Sequence, residues 1–173
     1  DALQKYEARG RAVQLEVASR PGTVSRAGKP SAGTPGISGA AVNFDFTEAG
    51  GSARLAIDKG AMDFPGVFEE PVIPFNTLAA DLQWKRDGQQ ISVSVSGLKF
   101  ANPDAQGEGQ ASWRTGTGAA RFPGTLDLTA TLSRADGTRI WRYLPAGISK
   151  GTREYVHEAV QQGTATDARF RAK

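Results

Sequence analysis

The chain has 173 residues, 39% of them apolar, with 21 glycines, 9 prolines, no cysteine and a net charge of +3. That is enough chain for one domain with a core, but it excludes a disulfide framework and a thiolate metal site. The cations are scattered among 18 acids, which argues for solubility rather than a polyanion site, and no run approaches the ~20 apolar residues of a membrane span.

The chain starts mid-pattern at Asp1 and carries no secretory leader. It is therefore expected to be a fragment of a longer protein, with any membrane anchor elsewhere. Residues 12–18 alternate through Val13, Leu15 and Val17, which predicts a short strand. Residues 19–36 are Gly, Pro, Ser and basic residues with almost nothing apolar. They are expected to form a solvated loop or linker, with partner binding through Arg20, Arg26 and Lys29 the lesser reading.

Order resumes at Ile37. Ala40, Val42, Phe44 and Phe46 share one face, and Asn43, Asp45 and Thr47 the other. Glu48-Ala49-Gly50-Gly51 reads as a hairpin turn. The return strand puts Ala53, Leu55 and Ile57 on the dry face, and Lys59-Gly60 reads as a bulge or second turn. Residues 65–75 hold three prolines and are expected to be an extended connection without ladder bonds. The adjacent Glu69 and Glu70 face opposite ways along such a chain, so they read as surface charges rather than an acid–base pair.

The next hairpin is the clearest. Leu78, Ala80, Leu82 and Trp84 alternate with polar residues, Arg86-Asp87-Gly88-Gln89 forms an Asp-Gly turn, and Ile91, Val93 and Val95 alternate with serines. The apolar parity flips after Gly97, to Leu98 and Phe100, so one inserted residue and a bulge are expected there. After Asn102-Pro103-Asp104, Gly107, Gly109, Ala111 and Trp113 lie in phase, and glycines at such positions predict close approach of a backbone or ligand. Leu126, Leu128, Ala130 and Leu132 then alternate with Thr125, Asp127, Thr129, Thr131 and Ser133 in a strictly one-sided strand.

A turn at Ala135-Asp136-Gly137 leads to Ile140, Trp141 and Leu144 at helical spacing, a compact plug stopped by Pro145. One convincing helix follows, with Ser149 as N-cap, Gly163 at the C-terminal cap, and Tyr155, Val156, Ala159 and Val160 as its apolar stripe. A last strand carries Ala168, Phe170 and Ala172. About eight strands joined by tight turns make an antiparallel meander. The single helix is too short to cover it, so the dry face meets another sheet, its own far end or a ligand.

Catalytic and cofactor patterns are weak. Gly147-Ile148-Ser149-Lys150-Gly151 fits the nucleophile-elbow spacing, but a Trp- and Pro-containing plug precedes it instead of a strand, and the only histidine, His157, lies along the same helix. Helix capping is the better reading of Ser149. One histidine makes no zinc site. Gly116-Thr117-Gly118 starts a dinucleotide fingerprint that Arg121 breaks, with no βαβ unit around it. Trp84 and Trp113 fall in the dry phase without interleaved arginines, so core or groove lining outweighs base stacking for these and for Trp141, and no nucleic-acid partner is expected. No cofactor, metal or catalytic residue is expected.

Three blocks carry a resemblance: PGVFEEPVIPFNTLAADLQWKRDG, LKFANPDAQGEGQASW, and LSRADGTRIWRYLP followed by a helix and GTATDARFR. Together they resemble the YhdP branch of the AsmA-like proteins, long envelope proteins of Gram-negative bacteria related to TamB. The resemblance covers residues 37–172 well, with Trp141-Arg142-Tyr143-Leu144-Pro145 as the plug; residues 1–36 match loosely. It implies a mainly β fold, a meander curled into an open groove, with residues 1–36 as an N-terminal strand and loop and residues 37–173 as the curled segment, its plug and helix at 138–162. It also implies a non-enzymatic periplasmic segment of an inner-membrane-anchored protein that passes phospholipid acyl chains between the inner and outer membranes, with other segments of the same longer chain as neighbours. On that resemblance the residues in hand are expected to be one segment, without the family's N-terminal transmembrane helix and most of its length.

On that reading the lipid-contacting residues are Val42, Phe44, Phe46, Leu55, Ile57, Leu78, Leu82, Trp84, Ile91, Val93, Val95, Trp113, Leu126, Leu128 and Leu132. The same side chains would also serve as the core of a closed, partner-binding β-domain with no lipid. The resemblance favours the groove.

Overall fold

The computed structural model describes residues 5–23, 32–117 and 124–172. Residues 24–31 of the loop expected over 19–36, Arg26 and Lys29 included, and the Gly118 and Arg121 positions lie outside them. Seven long strands follow one another: β1 (Glu7–Val17), β2 (Gly36–Thr47), β3 (Gly50–Asp63), β4 (Val72–Asp87), β5 (Gln90–Ala101), β6 (Ala105–Arg114) and β7 (Thr125–Asp136). A 3-10 plug (Gly137–Tyr143) and helix α1 (Lys150–Ala159) come next, then β8 (Thr164–Ala165) and β9 (Ala168–Ala172). The nine strands form one antiparallel sheet in chain order, and β8 and β9 both pair with β7. β1 pairs with β2, and the far end of the order meets β7, so the sheet is open and not closed into a barrel.

The alternation expected from the sequence sets the ladder. Phe46 lies opposite Gly51, which lies opposite Trp84, then Val93, Trp113 and Leu126 in turn. One row nearer the middle, Phe44, Ala53, Leu82, Val95, Ala111 and Leu128 pair in the same way. Since residues directly opposite share a face, the dry positions of six strands merge into continuous apolar rows.

The irregularities have local causes. Gly97 takes φ +58°, and between Val95↔Ala111 and Leu98↔Gly109 β5 spends one residue more than β6, the bulge its parity flip predicts. Lys59 also takes positive φ, and between Ser38↔Ala61 and Ala40↔Ile57 β3 spends two residues more than β2: Lys59-Gly60 is the expected bulge and not a second turn, since β3 runs on to Asp63. The close approach expected at Gly107 and Gly109 is backbone: a methyl group there would sit 2.5 Å from the Thr131 carbonyl oxygen and 2.6 Å from that of Thr129.

Four expectations need correction. β1 spans Glu7–Val17, longer than 12–18, because Ala8, Gly10 and Ala12 continue the dry face with side chains too small to register as apolar alternation. Residues 72–75 do join a ladder, since β4 starts at Val72 with Pro74 opposite Ala61. Proline is tolerated there because pairing with β5 begins only at Thr77↔Ala101, so β4 is still an edge. α1 ends at Ala159 with Val160 as its cap, and Gly163 instead shapes the turn where its carbonyl accepts from Gly137 N–H at 2.8 Å. Finally, Tyr155 is 71% exposed, off the packed stripe of Val156 and Val160, because α1 rests on the plug along one narrow face.

The packed core occupies only the half of the sheet nearer the β5–β6 turn. Ala40, Ile57 and Leu78 are its buried centre, with Leu15, Ile37, Met62, Phe75, Leu98 and Phe100 packed around them. Phe75 and Phe100 meet edge to face at 6.4 Å.

Candidate functional site

Two features stand out from the pleated sheet: an apolar trough in one half and a polar node at the opposite end. The trough lies toward the β2–β3 turn. Its floor is an aromatic chain in which Tyr6 meets Phe46 edge-on at 6.2 Å, Phe46 lies 5.7 Å from Phe44, and Phe46 lies 6.2 Å from Trp84. These rings, with Val42, Ala53 and Ile91, line a concavity of about 450 Å³ rimmed by Glu48 and Arg86. A concavity of about 560 Å³ on the other face is lined by Lys99, Glu108, Gln110, Thr129, Thr131, Arg169 and Arg171 among others.

The fifteen residues singled out from the sequence do not share one environment. Ile57 and Leu78, 3% and 7% exposed, are sunk in the core and offer no surface to a ligand. Val42, Phe44, Phe46, Leu55, Leu82, Trp84, Ile91, Val93, Val95, Trp113, Leu128 and Leu132 are half-buried, and Leu126 is 45% exposed. Half-burial across six strands means these side chains touch their neighbours without interlocking against an opposing layer. The opposite face is hydrophilic, with Arg9 bridged to Asp45 and Arg54 to Asp81 at 2.8 Å. The Asp81 hydrogen bond, then its charge, raises the Arg54 pKa above the ordinary arginine value.

The polar node was not legible in the sequence. Arg142, in the plug, donates from Nε to Glu70 at 2.6 Å and from Nη1 to Asp104 at 2.6 Å. Tyr143 Oη donates to the same Asp104 oxygen at 3.0 Å and accepts from Asn102 Nδ2 at 3.0 Å. Asn102, 1% exposed, accepts from the backbone N–H groups of Asp104 and Ala105 and so builds the turn that presents Asp104, itself 7% exposed. Burial opposes the Arg142 charge, but Asp104 and Glu70 outweigh it and hold the pKa above the ordinary arginine value. Burial, then the hydrogen bond to Asp104, pushes the Tyr143 pKa up to about 12. Asp136 caps the plug by accepting from Thr138 N–H at 2.9 Å and Thr138 Oγ1 at 2.7 Å, and these bonds lower its pKa. The node ties positions 38 and 72 residues apart. Only the crowding of Arg142 and Tyr143 in the plug and the Asn-Pro-Asp turn hinted at it.

The catalytic patterns resolve as local structure. Ser149 Oγ accepts from Thr152 N–H at 3.2 Å and caps α1. His157 packs against Trp141 with ring centres 4.6 Å apart and planes tilted by 55°. Glu69 and Glu70, expected as plain surface charges, are ion-pair partners: Glu70 of Arg142, and Glu69 of Arg153 at 3.5 Å. Among the described residues no group of three or more His, Asp or Glu is placed to hold a metal ion, and no helix is long and apolar enough to cross a membrane.

These features define a class: an open antiparallel sheet, apolar on one face and charged on the other, braced at one end by a polar node. Within it the chain belongs to the YhdP family, whose model, described as YhdP protein, matches residues 2–173. That is a family of non-enzymatic envelope proteins related to lipid transport. No curated protein and no solved structure matches the chain.

Proposed function

We propose that this chain is a periplasmic segment of a bridge-like envelope protein, along whose apolar face phospholipid acyl chains pass between the inner and outer membranes. The observation that carries the reading is the half-buried apolar face from Phe46 to Leu126, continuous by register across β2–β7. The helix that could have covered it packs against the plug instead. Six strand spacings of ~4.8 Å make the β1–β7 sheet about 29 Å across. An acyl chain fills one leaflet, about 15 Å or half of a bilayer's hydrocarbon core, so the sheet is broad enough to hold one.

Burial at about 0.8 kcal/mol per CH₂ would give a chain of about sixteen carbons roughly 12 kcal/mol at most, before ordering costs. No catalytic group is required, because lipid slides along an unbroken apolar stripe. In the longer protein the flanking segments of the same chain would continue the trough toward both membranes.

The test is lipid carriage. The chain purified from bacterial envelope and analysed by mass spectrometry is expected to hold phospholipid, and Leu82→Asp to lose it while the sheet stays folded. A wild-type chain free of phospholipid would instead favour a structural or partner-binding domain, the function suited to the packed half around Ile57 and Leu78.

A further inference from the structure

The segment after β7 does not trail away from the sheet. It returns across the sheet's end and is fastened at three separated places. At its start Asp136 N–H donates to the Asp104 carbonyl at 2.7 Å. In its middle Arg142 holds Asp104, on the β5–β6 turn, and Glu70, on the β3–β4 connection. Beyond Pro145, Ala146 N–H donates to the Val67 carbonyl at 2.8 Å, and Arg153 reaches Glu69. No ladder joins the β3–β4 connection to the β5–β6 turn. They sit two strand spacings apart, ~10 Å along the sheet, and pairing between β4 and β5 starts only at Thr77↔Ala101.

The chemistry of the joint gives it a direction. Glu70 and Asp104 carry like charges, and one guanidinium, 15% exposed, lies between them. With arginine present they are drawn together; with it gone they repel across a partly dry gap. We infer that the plug and α1 form a cross-brace that fixes how far the sheet's end can spread, with Arg142 as its positioning residue. The brace thereby fixes the spread of the packed end, across the sheet from the trough toward the β2–β3 turn.

The chain has no cysteine of its own, so paired spin labels read the brace directly. One pair, Val72→Cys with Pro103→Cys, spans the braced end where no ladder fixes the distance. A control pair, Gln83→Cys with Ser112→Cys, spans β4–β6 where the ladders do. Arg142→Met is expected to lengthen and broaden the first distance by about one strand spacing, ~5 Å, and leave the control unchanged. Arg142→Lys, which holds one carboxylate but cannot fork to two, is expected to fall between. An unchanged first distance in Arg142→Met overturns the brace. If Arg142→Met disturbs both pairs, Glu70→Gln decides: a shift of the first pair alone supports the brace, and no shift overturns it. Phospholipid held per chain reports on the trough and not on the brace: a lipid-free wild type would end the trough reading and leave the brace to stand or fall on the distances.

Discussion

The two halves of the sheet have the same backbone and opposite chemistry. Toward the β2–β3 turn, Phe44, Phe46 and Trp84 meet at loose ring distances and are only half-buried, with Tyr6 exposed beside them. Toward the β5–β6 turn, Ala40, Ile57 and Leu78 are buried, and the end is closed by a polar node whose members hydrogen-bond one another. Apolar contact alone is non-directional, and it leaves the first half adaptable. Charged hydrogen bonds are directional and intolerant of missing partners, and they hold the second half in one arrangement. The division suits a protein that must keep its shape while something mobile moves across part of it.

The division is broken most severely from the packed side. Ile57→Asp places an unpaired carboxylate in the core and is expected to abolish cooperative thermal unfolding, at a penalty of several kcal/mol. Next, Asp104→Asn leaves Arg142 partly buried without its principal counter-charge. Removing one partner of such a pair costs about 3–5 kcal/mol, so calorimetry should show a large drop in Tm, with far-UV circular dichroism still that of a β-sheet at low temperature.

On the trough side, Leu82→Asp is expected to lower stability by no more than about 1–2 kcal/mol, because water already reaches this position. Chemical denaturation measures that penalty, and its contrast with Ile57→Asp sharpens the distinction between the halves. A severe loss of stability from Leu82→Asp would make both halves core.

The node should also announce itself at alkaline pH. Burial raises the Tyr143 pKa to about 12, above the ordinary value of ~10. The stability this contributes is fully present below about pH 10 and is lost as pH rises through about 12. Phenolate absorbance should show one of the chain's three tyrosines ionising last, in step with loosening of the plug. The smallest effect belongs to the hydrophilic face: Arg54 and Asp81 have side chains 75% and 48% exposed, so Arg54→Ala should leave the denaturation midpoint almost unmoved, and more nearly so in high salt.

Much of this was legible because period-two alternation is a local signal. It located β2–β7, the Asp-Gly turn before Gln90 and the Gly97 bulge, since each depends on residues a few positions apart. It also identified which side chains share the dry face. What it could not do was separate Ile57 and Leu78, which are sealed, from Leu82 and Val93, which are not. That distinction depends on which neighbours the twist and bulges bring over them, not on the residues' own chemistry. The Arg142 node escaped for a related reason: arginine and acid residues are common on surfaces, and nothing local marks a pair 72 residues apart as partners. The helix cap at Gly163 failed because any glycine near a helix end suits the pattern, whereas this one serves the turn into β8.

The account depends on one face of one sheet meeting lipid. Photo-crosslinking residue by residue along Ser92-Val93-Ser94-Val95 in β5 tests this directly, because neighbouring side chains point to opposite faces. Phospholipid adducts are expected at Val93 and Val95 and not at Ser92 and Ser94. Adducts at none of the four positions, or equally at all of them, would contradict it.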